Sequence, residues 1–111
     1  METPKIKIGS KTYTAKKPMA KMWRRLVKYR RDFGDPEKLM TDADAEIEAI
    51  DELYSILADL LPDEITADVL EEQTDLETLV DFSVQAMVWV ELIIMGKAKE
   101  IPAKNAGKAE K

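Results

Sequence analysis

Hydrophobic and polar positions near the N-terminus alternate with a period of two residues. In the stretch KIKIGSKTYT, Ile6 and Ile8 alternate with lysines, and Tyr13 lies between two threonines, as in half-buried strands. Gly9 and Ser10 between these runs are typical of a two-residue hairpin turn that begins with glycine. The sequence therefore predicts a β-hairpin whose apolar face rests on the rest of the protein, because an isolated hairpin is marginally stable.

A basic amphipathic helix is predicted between Pro18 and Gly34. Proline suits the first turn of a helix, Gly34 suits a C-terminal cap, and Pro36 prevents the helix from continuing. The apolar positions recur every three or four residues, as a core-facing stripe requires. They are Met19, Met22, Trp23, Leu26 and Phe33, with Tyr29 at the edge.

An acidic helix is predicted next, from about Thr41 or Asp42 to Pro62. A short helical segment capped by Thr66 follows it and packs on the core through apolar residues. The apolar stripe of the acidic helix is regular: Ile47, Ile50, Leu53, Tyr54, Leu57 and Leu61.

The last predicted helix contains the most apolar segment of the chain, VQAMVWVELIIM. Thr74 and Glu77 form a capping-box pattern at its start, and Gly96 marks its end. VWVELII is also rich in strand-forming residues, but the apolar run is longer than an ordinary strand. On a helical wheel the core face consists of Leu79, Phe82, Ala86, Trp89, Val90 and Ile93, with Met87 and Ile94 at its border.

The opposite side of this helix is polar at first and apolar later. Val88, Leu92 and Met95 lie where the polar stripe should continue. Two interpretations remain open: another segment of the same domain covers these side chains, or a partner does. We expect a partner, because a monomer rarely exposes such a patch to water. Val88, Leu92 and Met95, together with Glu91, are the predicted partner-binding residues.

Composition and length indicate one small folded domain. The chain has 111 residues, of which 45% are hydrophobic and 35% are charged. We predict a mainly α (α+β) fold, with a small N-terminal β-hairpin followed by three to four helices packed around an aliphatic core. Residues 1–96 form the predicted domain, and the Lys/Ala-rich residues 97–111 form a predicted flexible tail. The N-terminus lacks a signal-peptide pattern, so we expect a cytoplasmic protein without membrane association.

Charge is strongly segregated along the chain. Residues 1–34 carry 11 Lys/Arg against 2 Asp/Glu, a balance of +9, whereas residues 35–96 carry 1 against 18, a balance of −17. Such asymmetry is typical of a nucleic-acid-binding arm on an acidic body, or of two halves of one domain that face each other. We favour the second interpretation, because the basic segment also carries an apolar stripe.

The basic helix nevertheless provides an alternative function, a small nucleic-acid-binding regulator. Its binding residues would be Arg24, Arg25, Lys28 and Arg31, with nearby aromatic residues against the bases. Those aromatic residues lie on or near the predicted core stripe, and the acidic remainder of the chain would repel DNA. We therefore expect no nucleic-acid partner.

The residues for enzymatic chemistry are mostly missing. The chain has no histidine, no cysteine and no glycine-rich phosphate loop. Its carboxylates lie on predicted helices, where they usually form a solvated face. We predict no catalytic, cofactor-binding or metal-binding residues and no enzymatic activity.

The order of these segments resembles the tail assembly chaperones of long-tailed siphophages, especially those of phages that infect Gram-positive bacteria. The resemblance covers residues 5–96 and rests on the order hairpin, basic helix, acidic helix, apolar helix. It also rests on a turn of the G-K-x-Y type, here written GSKTY from Gly9 to Tyr13, with an inserted serine.

The resemblance implies that the protein binds the tape measure protein and keeps it soluble during tail tube assembly. It implies a chaperone in the cytoplasm of the host cell, absent from the mature virion and encoded by a phage or prophage. A longer form made by ribosomal frameshifting would recruit the tail tube protein. Coating a long partner also suggests a homo-oligomer.

Overall fold

The computed structural model describes the backbone of residues 2–110 and the side chains of residues 2–96. The predicted fold class is confirmed: a two-stranded hairpin precedes helices that pack around an aliphatic core. One short helix, α2, lies where the sequence predicted only a break. The elements are β1 (Lys5–Ile8), β2 (Lys11–Thr14), α1 (Lys21–Phe33), α2 (Pro36–Thr41), α3 (Ala43–Asp59), α4 (Ala67–Gln73) and α5 (Leu76–Glu110).

The hairpin forms with the predicted turn. β1 and β2 pair antiparallel, and Ile8 faces Lys11 across a turn in which Gly9 has φ of 65°. Ile6 and Ile8 are buried, as their alternation predicted. The backbone N–H of Lys16 donates to the carbonyl of Leu60 at 2.6 Å, which ties the end of the hairpin to the end of α3.

The core lies between the hairpin and the helices, and it is built mainly from aliphatic side chains. α3 contributes mostly through its second half, where Ile56 and Leu57 are fully buried. The buried cluster consists of Ile6, Ile8, Met22, Leu26, Ile56, Leu57, Leu60, Leu61, Ile65, Leu70, Leu79, Phe82, Ala86 and Val90.

Four residues predicted for the core stripes of α1 and α3 are exposed. Trp23 and Met19 on the α1 side are 55% and 71% exposed, and Ile47 and Ile50 on α3 are 57% and 41% exposed. Periodicity identifies the apolar side of a helix, but neighbouring elements decide how much of that side is covered. In α3 the buried residue of the first half is the small Ala49, so the core does not reach the bulky residues beside it.

Two predicted helix starts are corrected and one is confirmed. α1 begins at Lys21 and not at Pro18, and it has no side-chain cap. Thr66 accepts from the backbone N–H of Val69 at 3.2 Å, as predicted for α4. α5 is capped by Asp75 and not by Thr74: Asp75 accepts from the backbone N–H of Thr78 at 2.9 Å. The Thr78 hydroxyl also donates to this carboxylate at 2.7 Å, and these bonds lower the pKa of Asp75. The hydroxyl of Thr74 instead donates back to the carbonyl of Leu70.

The C-terminal helix is longer than predicted. α5 does not end at Gly96 but continues to Glu110. Gly96 does not adopt the left-handed conformation of a helix cap, because among the described residues Gly9 alone has a positive φ. The predicted flexible tail of residues 97–111 falls outside the residues whose side chains are described and stays a prediction.

A candidate partner-binding groove

α5 is only partly covered by the rest of the domain. Leu79, Phe82, Ala86 and Val90 pack into the core, whereas Ile93, predicted for the same face, is 37% exposed. Along the uncovered side, apolar residues recur every three or four positions and form a row. This row consists of Leu76, Val80, Val84, Val88, Leu92 and Met95, all exposed.

The second half of this row forms one wall of a groove. Val88, Leu92 and Met95 are 45%, 52% and 61% exposed, so they are not covered from within the described domain. They line, together with Met87 and Glu91, an open groove of about 470 Å³ between α5 and the end of α1. All four predicted partner-binding residues therefore lie on one continuous surface.

The opposite wall comes from α1. Tyr29, Arg30 and Gly34 line it. Gly34 ends α1 as predicted, with its N–H donating to the carbonyl of Arg30 at 2.9 Å, and an added Cβ there would collide with that carbonyl. α1 therefore ends beside the groove, at a position that a residue with a side chain would crowd.

One ion pair connects the two walls. The guanidinium of Arg30 lies 3.0 Å from the carboxylate of Glu91, and both side chains are substantially exposed. Such a pair contributes at most about 1 kcal/mol to stability. Its main consequence is local: it neutralises the charge of Glu91 within an otherwise apolar wall.

The composition of the groove favours an apolar helical ligand. An apolar surface with a charged edge is the usual receptor for the hydrophobic face of an amphipathic helix. Met87 and Met95 add flexible side chains that adapt to different ligand shapes.

The α1 wall was not identified from the sequence. The sequence predicts Tyr29 at the edge of the core stripe, and it predicts no role for Arg30. One feature of the sequence points to this wall: Arg30 and Gly34 are four residues apart and therefore lie on the same side of the helix. Their position beside α5 depends on how two helices distant in sequence pack.

The four residues of the alternative nucleic-acid-binding hypothesis are not all free to contact a nucleic acid. Arg25 turns towards α3, where it donates to Glu52 and Ser55 at 3.0 Å each and to Asp59. Arg31 pairs with Asp32 at 2.7 Å, and this bond lowers the pKa of that carboxyl. Arg24 and Lys28 are exposed.

The contact between α1 and α3 supports the interpretation that the two charged halves face each other. Lys28 and Tyr29 lie beside Glu48 and Glu52 in a second, polar pocket. Burial, and then the negative charge of Glu52, raise the pKa of the Tyr29 hydroxyl. Among the residues whose side chains are described, no group of three or more acidic, histidine or cysteine residues could hold a metal ion.

The apolar character of α5 also meets the length and composition of a membrane span. Leu76–Gly96 is 21 residues long and has a mean hydropathy of 1.6. One such helix is weak evidence, since a helix that packs its core face into a domain passes the same test. In α5 the buried Phe82 and Val90 mark that core face.

Comparison with known proteins adds no family. No protein-family model, curated protein or solved structure matches this chain.

Proposed function

We propose that this protein is a non-enzymatic tail assembly chaperone that binds helical segments of a siphophage tape measure protein and keeps them soluble. The observation that carries the proposal is the groove, in which Val88, Leu92 and Met95 remain exposed beside α1. The sequence resemblance supplies the identity of the ligand. It also supplies the expectation of action in the host cytoplasm, before the virion is complete.

The exposed area is large enough for a useful affinity. Full burial of a large aliphatic side chain contributes roughly 1.5–3 kcal/mol. Val88, Leu92 and Met95 are about half exposed, so covering each would contribute roughly 1 kcal/mol. Together they would tighten binding about 100-fold, because each 1.4 kcal/mol is a factor of ten.

Weak, repeated contacts suit a chaperone that must release its ligand. A long helical protein offers many similar apolar stripes, and several copies of the chaperone along it add their binding energies through avidity. The homo-oligomer and the frameshifted longer form that recruits the tail tube protein belong to this proposal as well.

A matched pair of aspartate substitutions on α5 tests the groove. Leu92→Asp places a charge in the groove, whereas Val80→Asp places it on the same apolar row but outside the groove. Each variant would be co-expressed with the tape measure protein of the same phage genome, and the soluble complex measured by affinity capture. We expect wild type and Val80→Asp to hold the tape measure protein in solution and Leu92→Asp to lose it.

Circular dichroism of both variants provides the folding control. A folded Leu92→Asp variant that still solubilises the tape measure protein would exclude the groove as its binding site. A wild-type protein that forms no complex would exclude the proposed function.

The structure gives one observation against the nucleic-acid alternative and one observation in its favour. Arg25 is engaged by α3, but Trp23 is exposed beside Arg24 and could contact bases. The exposed acidic residues of α3 oppose this function, because they repel phosphate. The chaperone therefore remains the function that the geometry supports best.

A further inference from the structure

The apolar surface beside the groove continues along α1 beyond Arg30. Val27 lies three residues before Arg30 and is therefore its neighbour on the helix surface. Trp23 and Met19 precede Val27 at intervals of four residues, with Met19 just before the start of α1. Met19, Trp23 and Val27 are 71%, 55% and 44% exposed. These three side chains, which we call the α1 ridge, extend the α1 wall of the groove towards the start of the helix.

A shallow pocket lies along the α1 ridge. Ala20, Trp23, Arg24 and Val27 line this pocket, which has a volume of about 340 Å³. Arg24 is exposed and has no ion-pair partner among the residues whose side chains are described. Exposed Trp and Arg side chains next to each other are typical of residues that dominate the binding energy of protein interfaces. The pocket therefore offers an apolar contact with a positive charge beside it.

Positive charge follows the α1 ridge and reaches the groove. Arg24 and Arg31 are seven residues apart and lie on the same edge of the ridge, and Arg30 lies between the ridge and the groove. Arg31 pairs with Asp32. Arg30 lies 3.0 Å from Glu91 through one of its nitrogens. Because a guanidinium has five N–H donors, Arg30 keeps donors for a further carboxylate.

We propose that the groove and the α1 ridge form one binding surface, and that its ligand is an amphipathic helix with an acidic edge. This inference rests on the proposed function and adds the charge and the length of the ligand helix. The apolar stripe of the ligand packs on Leu92 and Trp23, and carboxylates beside the stripe pair with Arg24 and Arg30. The surface runs about 16 Å along α1 from Trp23 to Gly34, so the ligand has to present about three helical turns.

The shape and the chemistry of the surface favour this ligand over others. A nucleic acid would pair with the arginines but would leave Met19, Val27 and the apolar groove without an apolar partner. A flat lipid surface does not fill a groove between two helices. An amphipathic helix supplies both an apolar stripe and carboxylates, and it fits between α1 and α5.

Two synthetic peptides test the acidic edge. Each is a helix of about 20 residues, or about five turns, with leucine at every third or fourth position. One peptide carries glutamate beside the leucines, and the other carries lysine at the same positions. Fluorescence anisotropy of the labelled peptides, titrated with the full chain, measures both affinities. We expect the glutamate peptide to bind about tenfold more tightly at low salt, and we expect this difference to shrink at high salt.

Substitutions test whether the ligand reaches the α1 ridge. Trp23→Ala should weaken binding of the glutamate peptide about tenfold or more, because Trp is a frequent hot-spot residue. Arg24→Glu should weaken binding of the glutamate peptide and strengthen binding of the lysine peptide. Met40→Ala is the control, because Met40 is 84% exposed on α2 and lines neither the groove nor the shallow pocket. Circular dichroism verifies that each variant is folded.

Three outcomes would overturn the inference. A folded Trp23→Ala variant that binds the glutamate peptide as tightly as wild type would mean that the ligand occupies the groove alone. If that variant has also lost self-association in sedimentation velocity, the α1 ridge belongs to a second copy of this chain. Wild type that binds the lysine peptide as tightly as the glutamate peptide, or that binds neither, would also contradict the proposed ligand.

Co-expression with the tape measure protein separates this inference from the proposed function. If wild type and Trp23→Ala keep the tape measure protein equally soluble, the inference fails and the proposed function stands. If wild type binds the glutamate peptide through Trp23 but forms no complex with the tape measure protein, the proposed function fails. The surface is then a receptor for a different acidic helix.

Discussion

Single side chains decide how the two charged halves of this protein meet. Arg24 and Arg25 are neighbours in sequence, yet Arg24 faces solvent and Arg25 lies against α3 with a side chain only 22% exposed. The rotation of about 100° between successive residues of a helix separates them onto different sides. The same rotation places Trp23 in solvent and Met22 in the core.

Removal of the Arg25 guanidinium should weaken the contact between α1 and α3. Arg25→Met keeps the aliphatic stem but leaves Glu52 and Asp59 without their partner. We expect a loss of about 1 kcal/mol in the free energy of unfolding, because the carboxylates are partly exposed and recover water. Urea denaturation measures this loss. The control variant Arg24→Met should change the free energy of unfolding by less than about 0.5 kcal/mol. Equal effects of both variants would contradict the assigned contacts.

At the scale of elements, α5 has two roles, and each role belongs to a different side of the helix. One side supplies Phe82, Ala86 and Val90 to the core, while the other side keeps an apolar row exposed. The continuation of the helix past Gly96 lengthens the element beyond the groove. A glycine in this position weakens the helix without ending it.

Substitution of Gly96 tests whether this residue lies inside α5 or caps the end of the helix. Nothing lies within 4 Å of an added Cβ at Gly96, so Gly96→Ala should stabilise α5 by up to about 1 kcal/mol. Gly9→Ala is the contrasting variant, because its φ of 65° strains a residue with a side chain by about 1–2 kcal/mol. Thermal unfolding followed by circular dichroism measures both. Destabilisation by Gly96→Ala would indicate a left-handed cap at the end of the helix.

At the scale of the whole molecule, one small core supports several exposed apolar surfaces. The hairpin, α1, the second half of α3 and α5 close the core, whereas the groove, Trp23 on α1 and Ile47 on α3 remain outside it. A domain of this size has a stability of only about 5–15 kcal/mol. Its core residues are therefore critical for folding, whereas its surface residues can be changed to test function.

Two neighbouring apolar residues of α5 should differ sharply in their effect on stability. Phe82 is buried in the core, so Phe82→Ala should reduce the free energy of unfolding by about 3–5 kcal/mol. Val84 is 58% exposed, and Val84→Ala should change the free energy of unfolding by less than about 0.5 kcal/mol. Guanidinium denaturation of the two variants compares them directly. Similar losses would mean that α5 is covered on both sides.

The sequence by itself determined the elements whose signals are local. Gly9 predicted the hairpin turn because a positive φ is accessible to glycine, and Thr66 predicted the start of α4 because its hydroxyl accepts a neighbouring N–H. The interruption of the polar stripe predicted correctly that Val88, Leu92 and Met95 would be exposed.

Tertiary structure decided which apolar residues of each stripe are covered and what lies beside them. Trp23 and Ile47 belong to regular apolar stripes, yet no neighbouring element buries them. Arg30 and Gly34 face α5 across the groove although they lie far from Met87 in sequence. Periodicity reports the direction of a side chain around its own helix axis. Whether another helix occupies that direction depends on the packing of the entire chain.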